Sequence, residues 1–593
     1  MPAPPRSARR ELGLWLLLVA LVRGLSIVAL SDVFFYGEEL EKGAAAKAML
    51  DGIDIAHHKL SYHYYEGGGF AISHLKALLF TLVGENLLAQ RLGGLLTCLL
   101  VFWAFWRLID HHFGRRAARC GALLFLLGPA SFQRYSLLSL GIHFEAMAFG
   151  LVILDEGLRL AFEREREPSL RRMVALGAVA GFGLFFSYQN ALVIGWAGLL
   201  FLVFRPRVLF GPRGLASLGG FVLGLAPLLY MAAHVGDALL DIHGQDLREA
   251  GGLGRVVVFL RVVYLEGTTW ELVSRVAYPA AAVVAIGLGL TRLSGPSRRA
   301  YFGVLGFVAL WMLAWLIGPF LKTTLIHWFD WLRMAPLTLA LMILAAAAVD
   351  AAWTRLAKGL LAAVVVLGLV HTGSILAEGR LGTPLRNLDF LVHTKGYDYR
   401  GYFPMLMGHL ESRRLVDVAP LLQFDEPHPS FLQSSFAICL YENRRRSIEV
   451  MEQLGQLEGL DAEGRDGFLL GLGASVLVHR RGDVGAALIQ LEGLPAPMGE
   501  RLAEGVAYFP GHRVETRELL LEDLAAHGRG PLGAAYTRGL GMRAFRVLVL
   551  SSLGLELCLN EGAVRDLLAQ QDPDLAPLLL EGFEQERARW TLP

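Results

Sequence analysis

The feature that most constrains this chain is a succession of apolar windows, each of roughly 17 to 25 residues and so long enough to cross a bilayer as a helix. About eleven can be read, near residues 12–31, 87–107, 117–135, 143–161, 173–187, 189–204, 214–233, 277–292, 301–319, 335–352 and 359–376. A backbone surrounded by lipid has to satisfy its own hydrogen bonds, so the expected fold is an all-α membrane bundle. The composition agrees, with 54% hydrophobic and 18% charged residues. The first window follows Arg6, Arg9 and Arg10. It is longer than the apolar core of a signal peptide and carries no small-x-small cleavage site, so it reads as a permanent span.

Lys and Arg total 55 against 54 Asp and Glu, a net charge of +1. That balance gives no bulk surface for a polyanion and argues against a nucleic-acid partner. Locally the charges are sorted. The short loops RLIDHHFGRRAAR, RLAFEREREPSLRR, RPRVLFGPR, TRLSGPSRR and WTRLAK alternate with loops nearly free of Lys and Arg. The positive-inside rule then predicts a multi-pass inner (cell) membrane protein with its N-terminus cytoplasmic and its C-terminus outside. The polar SYQN at 187–190 reads as a tight turn or as a break at mid-membrane. The charge bias holds on both sides of it and favours the turn. Segments 32–86, 234–276 and everything after about 378 would face the exterior or periplasm. Four cysteines without CxxC or Cys/His spacing predict neither a disulfide framework nor a zinc site. Whether Cys439 and Cys558 pair is left open by the sequence.

Residues 1–378 thus form the membrane domain, with 32–86 as its first external loop. Residues 379–593 change character to polar, amphipathic and glycine-punctuated, which predicts an external water-soluble helical domain. Segments around Gly471, Gly505 and Gly539 recur at a period of about 34 residues, the spacing of tetratricopeptide-type helical solenoids; another follows around Gly582. The usual consensus residues of that repeat are absent, and an irregular helical bundle is the alternative.

The most informative stretch is FFYGEELEKGAAAKAMLDG, residues 34–52. Glu38 and Glu39 fall at the start of a short helix just beyond the membrane surface. There they would complement the helix dipole, with Lys42 four residues after Glu38. The wider pattern is richer: Arg23 inside the first span, the Glu pair, Met49-Leu50, Gly52, then Gly84 in LVGEN and Arg91-Leu92. This arrangement resembles the integral-membrane glycosyltransferases of the GT-C type, in the branch of protein O-mannosyltransferases and aminoarabinose lipid A transferases. Those enzymes have an Asp-Glu pair, a helix ending in Met-Leu and Gly, a Lys-Pro-Pro, and a Gly and Arg-Leu before the second span. Here Glu replaces the first Asp, and no Pro follows Lys59. Two further stretches resemble the family: RYSLLSLGIHFEAMAF, with Glu145 in the acidic position and His143 beside it, and HWFDWLRMAPLTLAL, with Arg333 and Pro336 in register.

The resemblance implies a GT-C-like bundle with amphipathic juxtamembrane helices, and transfer of a sugar from a polyprenyl-phosphate donor to a lipid, glycan or protein acceptor. Glu38 would be the base, with Glu39 or Glu145 orienting hydroxyl groups. A phosphate leaving group needs cationic donors rather than an acid. Arg333 comes first by register, followed by Lys59, Arg134 and Lys322. His143 and Arg23 complete the substrate-binding candidates, although Arg23 could equally serve helix packing against a carbonyl. No cofactor or metal is called for. His57, His58 and His63 lack zinc-site spacing with an acidic partner, and Gly67 to Gly69 read as a turn or a phosphate cradle. Two other classes remain open. A transporter or lipid flippase would place its charges at mid-depth and show an internal repeat of spans, which the sequence lacks. A membrane-anchored scaffold would act wholly through its external helical domain by binding a protein partner.

Overall fold

The computed structural model describes residues 6–30, 37–50, 67–84, 87–141, 143–162, 167–235, 269–317, 335–352, 354–381, 450–457, 462–508, 517–550 and 561–590, and these are helical throughout with short connections. The chain divides into two units. One comprises Met1–Leu30, His57–Gly84 and Leu88–Ala377; the other comprises Ser31–Ala56, Glu85–Leu87 and Glu378–Pro593.

The first unit holds α1 (Arg6–Leu30), α3 (Gly68–Val83), α4 (Leu87–Phe113), α5 (Arg115–Leu126), α6 (Ala130–Tyr135) and α7 (Met147–Phe162). It continues with α8 (Leu170–Phe186), α9 (Asn190–Phe204), the short α10 (Pro206–Leu209), α11 (Pro212–Val235), α12 (Thr269–Arg292), α13 (Gly295–Ile317), α14 (Ala335–Ala352) and α15 (Arg355–Leu381). Among the described residues, five stretches are long and apolar enough to cross a membrane: Arg9–Ala29, Leu88–Phe113, Pro212–Ala233, Ala335–Ala352 and Arg355–Ala377. The outer faces of these helices are apolar. On α1 Leu14, Leu17, Leu21, Leu25 and Val28 form an exposed stripe, Leu17 at 65%, while Val19, Arg23 and Ile27 turn inward. Water would penalise such a stripe and lipid does not. The protein is an integral membrane protein.

Several helix ends follow directly from the sequence. Gly84 at φ 100° and Gly114 at φ 90° close α3 and separate α4 from α5, a conformation that glycine adopts without strain. Ser169 caps α8 by accepting a hydrogen bond from the Arg172 amide at 3.3 Å. The window expected at 117–135 is not one helix. It breaks at Leu127–Pro129, where Pro129 adopts an extended conformation before α6, because proline has no amide to donate and disfavours a helical residue before it.

That break is well satisfied. Arg23 donates to the carbonyls of Leu126 at 3.2 Å and Phe125 at 3.1 Å. The Tyr278 hydroxyl reaches the Leu127 carbonyl at 3.3 Å, and Gln133 Nε2 reaches that of Gly128 at 2.9 Å. Below it lies an aromatic core. Phe125 meets Phe102 and Phe132, each at 5.1 Å between ring centres, and Phe132 meets Phe144 at 5.7 Å, edge-on geometries that suit the ring quadrupoles.

The second unit contains α2 (Gly37–Leu50), α16 (Val450–Leu454), α17 (Ala462–His479), α18 (Val484–Leu491), α19 (Ala496–Tyr508), α20 (Arg517–His527), α21 (Gly533–Leu550), α22 (Glu561–Ala569) and α23 (Ala576–Trp590). Here α17, α19, α21 and α23 stack in series through bare backbone. A Cβ on Gly473 would stand 2.0 Å from the Leu502 carbonyl, one on Gly505 2.3 Å from that of Leu470, one on Gly541 2.0 Å from that of Leu579, and one on Gly582 1.9 Å from that of Arg538. Charge pairs run along the same stack. Arg501 bridges to Asp466 at 2.5 Å and to Glu504, and Arg538 reaches Glu504 at 2.8 Å.

Candidate functional site

Within the first unit, buried polar groups gather where α3, α4, the turn before α7 and the turn between α8 and α9 meet. The turn before α7 is built on glycine. Gly141 has φ +84°, and a Cβ at Gly68 would lie 1.3 Å from the Gly141 carbonyl oxygen. Across the same region a Cβ at Gly94 would lie 2.1 Å from the Leu137 carbonyl. The Gly67 amide donates to the Phe185 carbonyl at 2.8 Å. Gly68 therefore serves close backbone packing, a Cβ at Gly67 would strike the Phe185 ring, and the Gly67 amide is already taken.

Glu145 sits in this turn, 3% exposed, and its Oε1 accepts the amides of Leu140 at 2.5 Å and Gly141 at 3.1 Å. The carboxylate thus holds the turn that its own residue closes. Lys76 on α3 is fully buried and close enough for its charge to act on Glu145. Its side chain runs beside Gly93 of α4, where Ser139 also approaches. Gln90 and Arg91 of α4 are buried as well. The sequence reading missed Lys76. Its signal is a lysine within the apolar helix GGFAISHLKALLFTLV, where a charge is costly unless partnered.

His143 is buried in the same turn, and Gln189 Nε2 donates to its Nδ1 at 2.5 Å. Gln189 belongs to the polar SYQN segment. There Ser187 ends α8 in an extended conformation, and Asn190 opens α9 with its Nδ2 donating to the Gly183 carbonyl at 2.9 Å. Gln189 and Asn190 also form the polar side of a cleft lined otherwise by apolar groups, including Met147, Leu151, Trp311 and Pro336.

The other expected residues fall elsewhere. Arg23 is fully buried and spends two donors on the carbonyls that end α5, which is the packing role open to it. Arg134 is half-buried in the last turn of α6. Glu38 and Glu39 open α2, whose bounds Gly37–Leu50 match the short helix ending in Met-Leu. In that helix Glu39 and Lys42 are buried; the Glu38 side chain lies outside the described residues, as do Lys59, Arg333, Lys322 and the histidines at 57, 58 and 63. The structure thus brings His143, Glu145 and Lys76 together.

No protein-family model matches the chain, and no curated protein matches it. Among solved structures it is similar to ArnT from Cupriavidus metallidurans in the apo state, at 16% identity and a TM-score of 0.43, over 86% of this chain and 80% of that one. It is similar also to ArnT from the same organism bound to undecaprenyl phosphate, at 16% identity and a TM-score of 0.42, over 82% of this chain and 81% of that one. Likenesses at this level are of general outline and assign no role to any residue here.

Proposed function

We propose that this protein is a membrane glycosyltransferase that moves a sugar from a polyprenyl phosphate onto a lipid, glycan or protein acceptor at the outer face of the membrane. The observation that carries the reading is the buried polar group at the turn before α7, where Glu145 accepts two backbone amides, His143 meets Gln189 and Lys76 lies near enough for its charge to act on Glu145. A sugar phosphate suits hydrogen-bond donors beside a buried cation. The first-loop resemblance supplies the reaction. The acceptor oxygen attacks the anomeric carbon, the bond from that carbon to the phosphate oxygen breaks, and the electron pair leaves with the phosphate. The acceptor proton passes to a carboxylate, for which Glu38 is proposed. Displacement in one step inverts the anomeric centre. A single base suffices because the departing phosphate is already a stable anion, unlike the leaving alcohol of glycoside hydrolysis. Lys76 joins Arg333, Lys59 and Arg134 as a proposed phosphate partner, Glu145 keeps His143 and its turn in place, and the stacked helices of the second unit recruit a polymer or protein acceptor.

The test is release of free polyprenyl phosphate from polyprenyl-phosphate sugars by purified protein supplied with membrane extract. Glu38→Gln should lower the rate about a hundredfold or more, the usual weight of a general base. Equal release by both proteins would move the base to Glu39 or Glu145. No release by either, with every candidate donor present, would overturn the reading in favour of a transporter or a scaffold.

A further inference from the structure

A second buried polar group joins α4 to α7. His111 and His112 stand in the last turn of α4, and Asp155, 1% exposed, stands in α7. His111 Nδ1 lies 3.1 Å and His112 Nε2 3.0 Å from the same Asp155 Oδ1. One ligand atom from each residue falls within 4.8 Å of the other two, the one such group of His, Cys, Asp and Glu among the described residues. We infer that His111, His112 and Asp155 form a binding site for a divalent cation of the zinc class, which clasps α4 to α7.

Two imidazole nitrogens and a carboxylate oxygen are a donor set that zinc favours. Bonds of about 2.0 to 2.1 Å in a tetrahedron put neighbouring ligand atoms about 3.4 Å apart, so the separations from Asp155 need to widen by only a few tenths of an ångström. On binding, each ring turns a lone pair to the metal and carries its proton on the other nitrogen, so both imidazoles stay neutral. The surroundings already hold the ligands as an outer shell would. Arg107 Nε sits 3.0 Å from Asp155 Oδ2 and leaves Oδ1 to the histidines. Arg107 is itself paired with Glu156, which Arg172 also holds, so its charge is partly offset. Ser297 Oγ donates to the His112 carbonyl at 2.8 Å and pins the end of α4. Three protein ligands leave a position for water, and His111 at 24% side-chain exposure gives the ion a way in. Asp155 lies eight residues beyond Met147, the start of α7, about 12 Å along the axis, so this site is separate from the Glu145 turn.

Full-length, tag-free protein in detergent, stripped with a chelator, should develop the visible absorption of protein-bound Co2+ on titration and lose it to Zn2+. Zn2+ should also raise the temperature of unfolding. The double variant His111→Gln and His112→Gln should abolish both effects, whereas a triple variant at His57, His58 and His63 should keep them. If the double variant does not fold, His111→Gln alone carries the test, with metal affinity falling about tenfold or more. Absence of the Co2+ signal in the wild type, its survival in the His111 variants, or its loss in the loop variant would each overturn the proposal.

Discussion

At the scale of single residues, charge is used sparingly and close to its partner. Asp572 shows this in the second unit. Its carboxylate accepts the Asp574 amide at 3.0 Å and pairs with Arg529. The amide first, and then the arginine, hold its pKa below the usual carboxylate value. A carboxyl depressed in the folded state contributes stability that is fully present above its unfolded pKa, about 3.9, and is lost as pH falls through the lower folded value. The protection of the amides around this turn, taken relative to intrinsic exchange at each pH, should therefore fall below about pH 4, and Asp572→Asn should show lower protection at neutral pH with that acid dependence removed. A variant with an unchanged profile would show that the pair does not hold the turn. Residues of this kind were only partly legible in the sequence. Glu145 and His143 were visible because the stretch that carries them, at the start of an apolar window, resembles an acidic motif of the GT-C family. Lys76 was hidden because one lysine in an apolar helix looks like an interfacial anchor. His111, His112 and Asp155 were invisible because their meeting depends on two helices more than forty residues apart in sequence.

At the scale of elements, close approach rests on glycine. Gly68 faces the Gly141 carbonyl with no room for a methyl group, whereas Gly198 on α9 has nothing within 4 Å of where a Cβ would stand. Gly68→Ala should cost about 3 kcal/mol or more, since the obstruction is backbone and cannot swing aside. Gly198→Ala should instead stabilise by about 1 kcal/mol through helix propensity alone. Thermal unfolding in detergent would separate the two, and equal effects would refute the packing account. Apolar windows gave most helix positions well, including the turn at SYQN, while the bounds of α2 were legible from the stretch that resembles the family's first loop. They did not reveal the interruption at Leu127–Pro129. Hydropathy averages across such a break, and Gly128-Pro129 is the local signal that an apolar window ignores.

At the scale of the whole molecule, sorted basic loops and lipid-facing leucines describe a membrane-embedded unit accompanied by a second, glycine-stacked one. The charge bias predicts that the C-terminus lies outside. A periplasmic reporter enzyme fused after Pro593 should therefore be active, and one fused after residue 163, within a basic loop, should be silent; the reverse pattern would invert the topology. The all-helical membrane class was legible because lipid leaves few alternatives. How residues from separate loops share a site was not, because one sequence carries no distances.

The hydrogen bonds from Arg23 to Phe125 and Leu126 also carry an order of events. Arg23 is synthesised more than a hundred residues before either carbonyl exists. During synthesis at the membrane, the first helix therefore cannot take its final place when it is made. Its arginine has to stay wetted, at the insertion machinery or at the bilayer edge, until the chain has been extended past Leu126. Arg23 is in this sense a timer: it delays closure of the bundle until the segment that completes it has arrived.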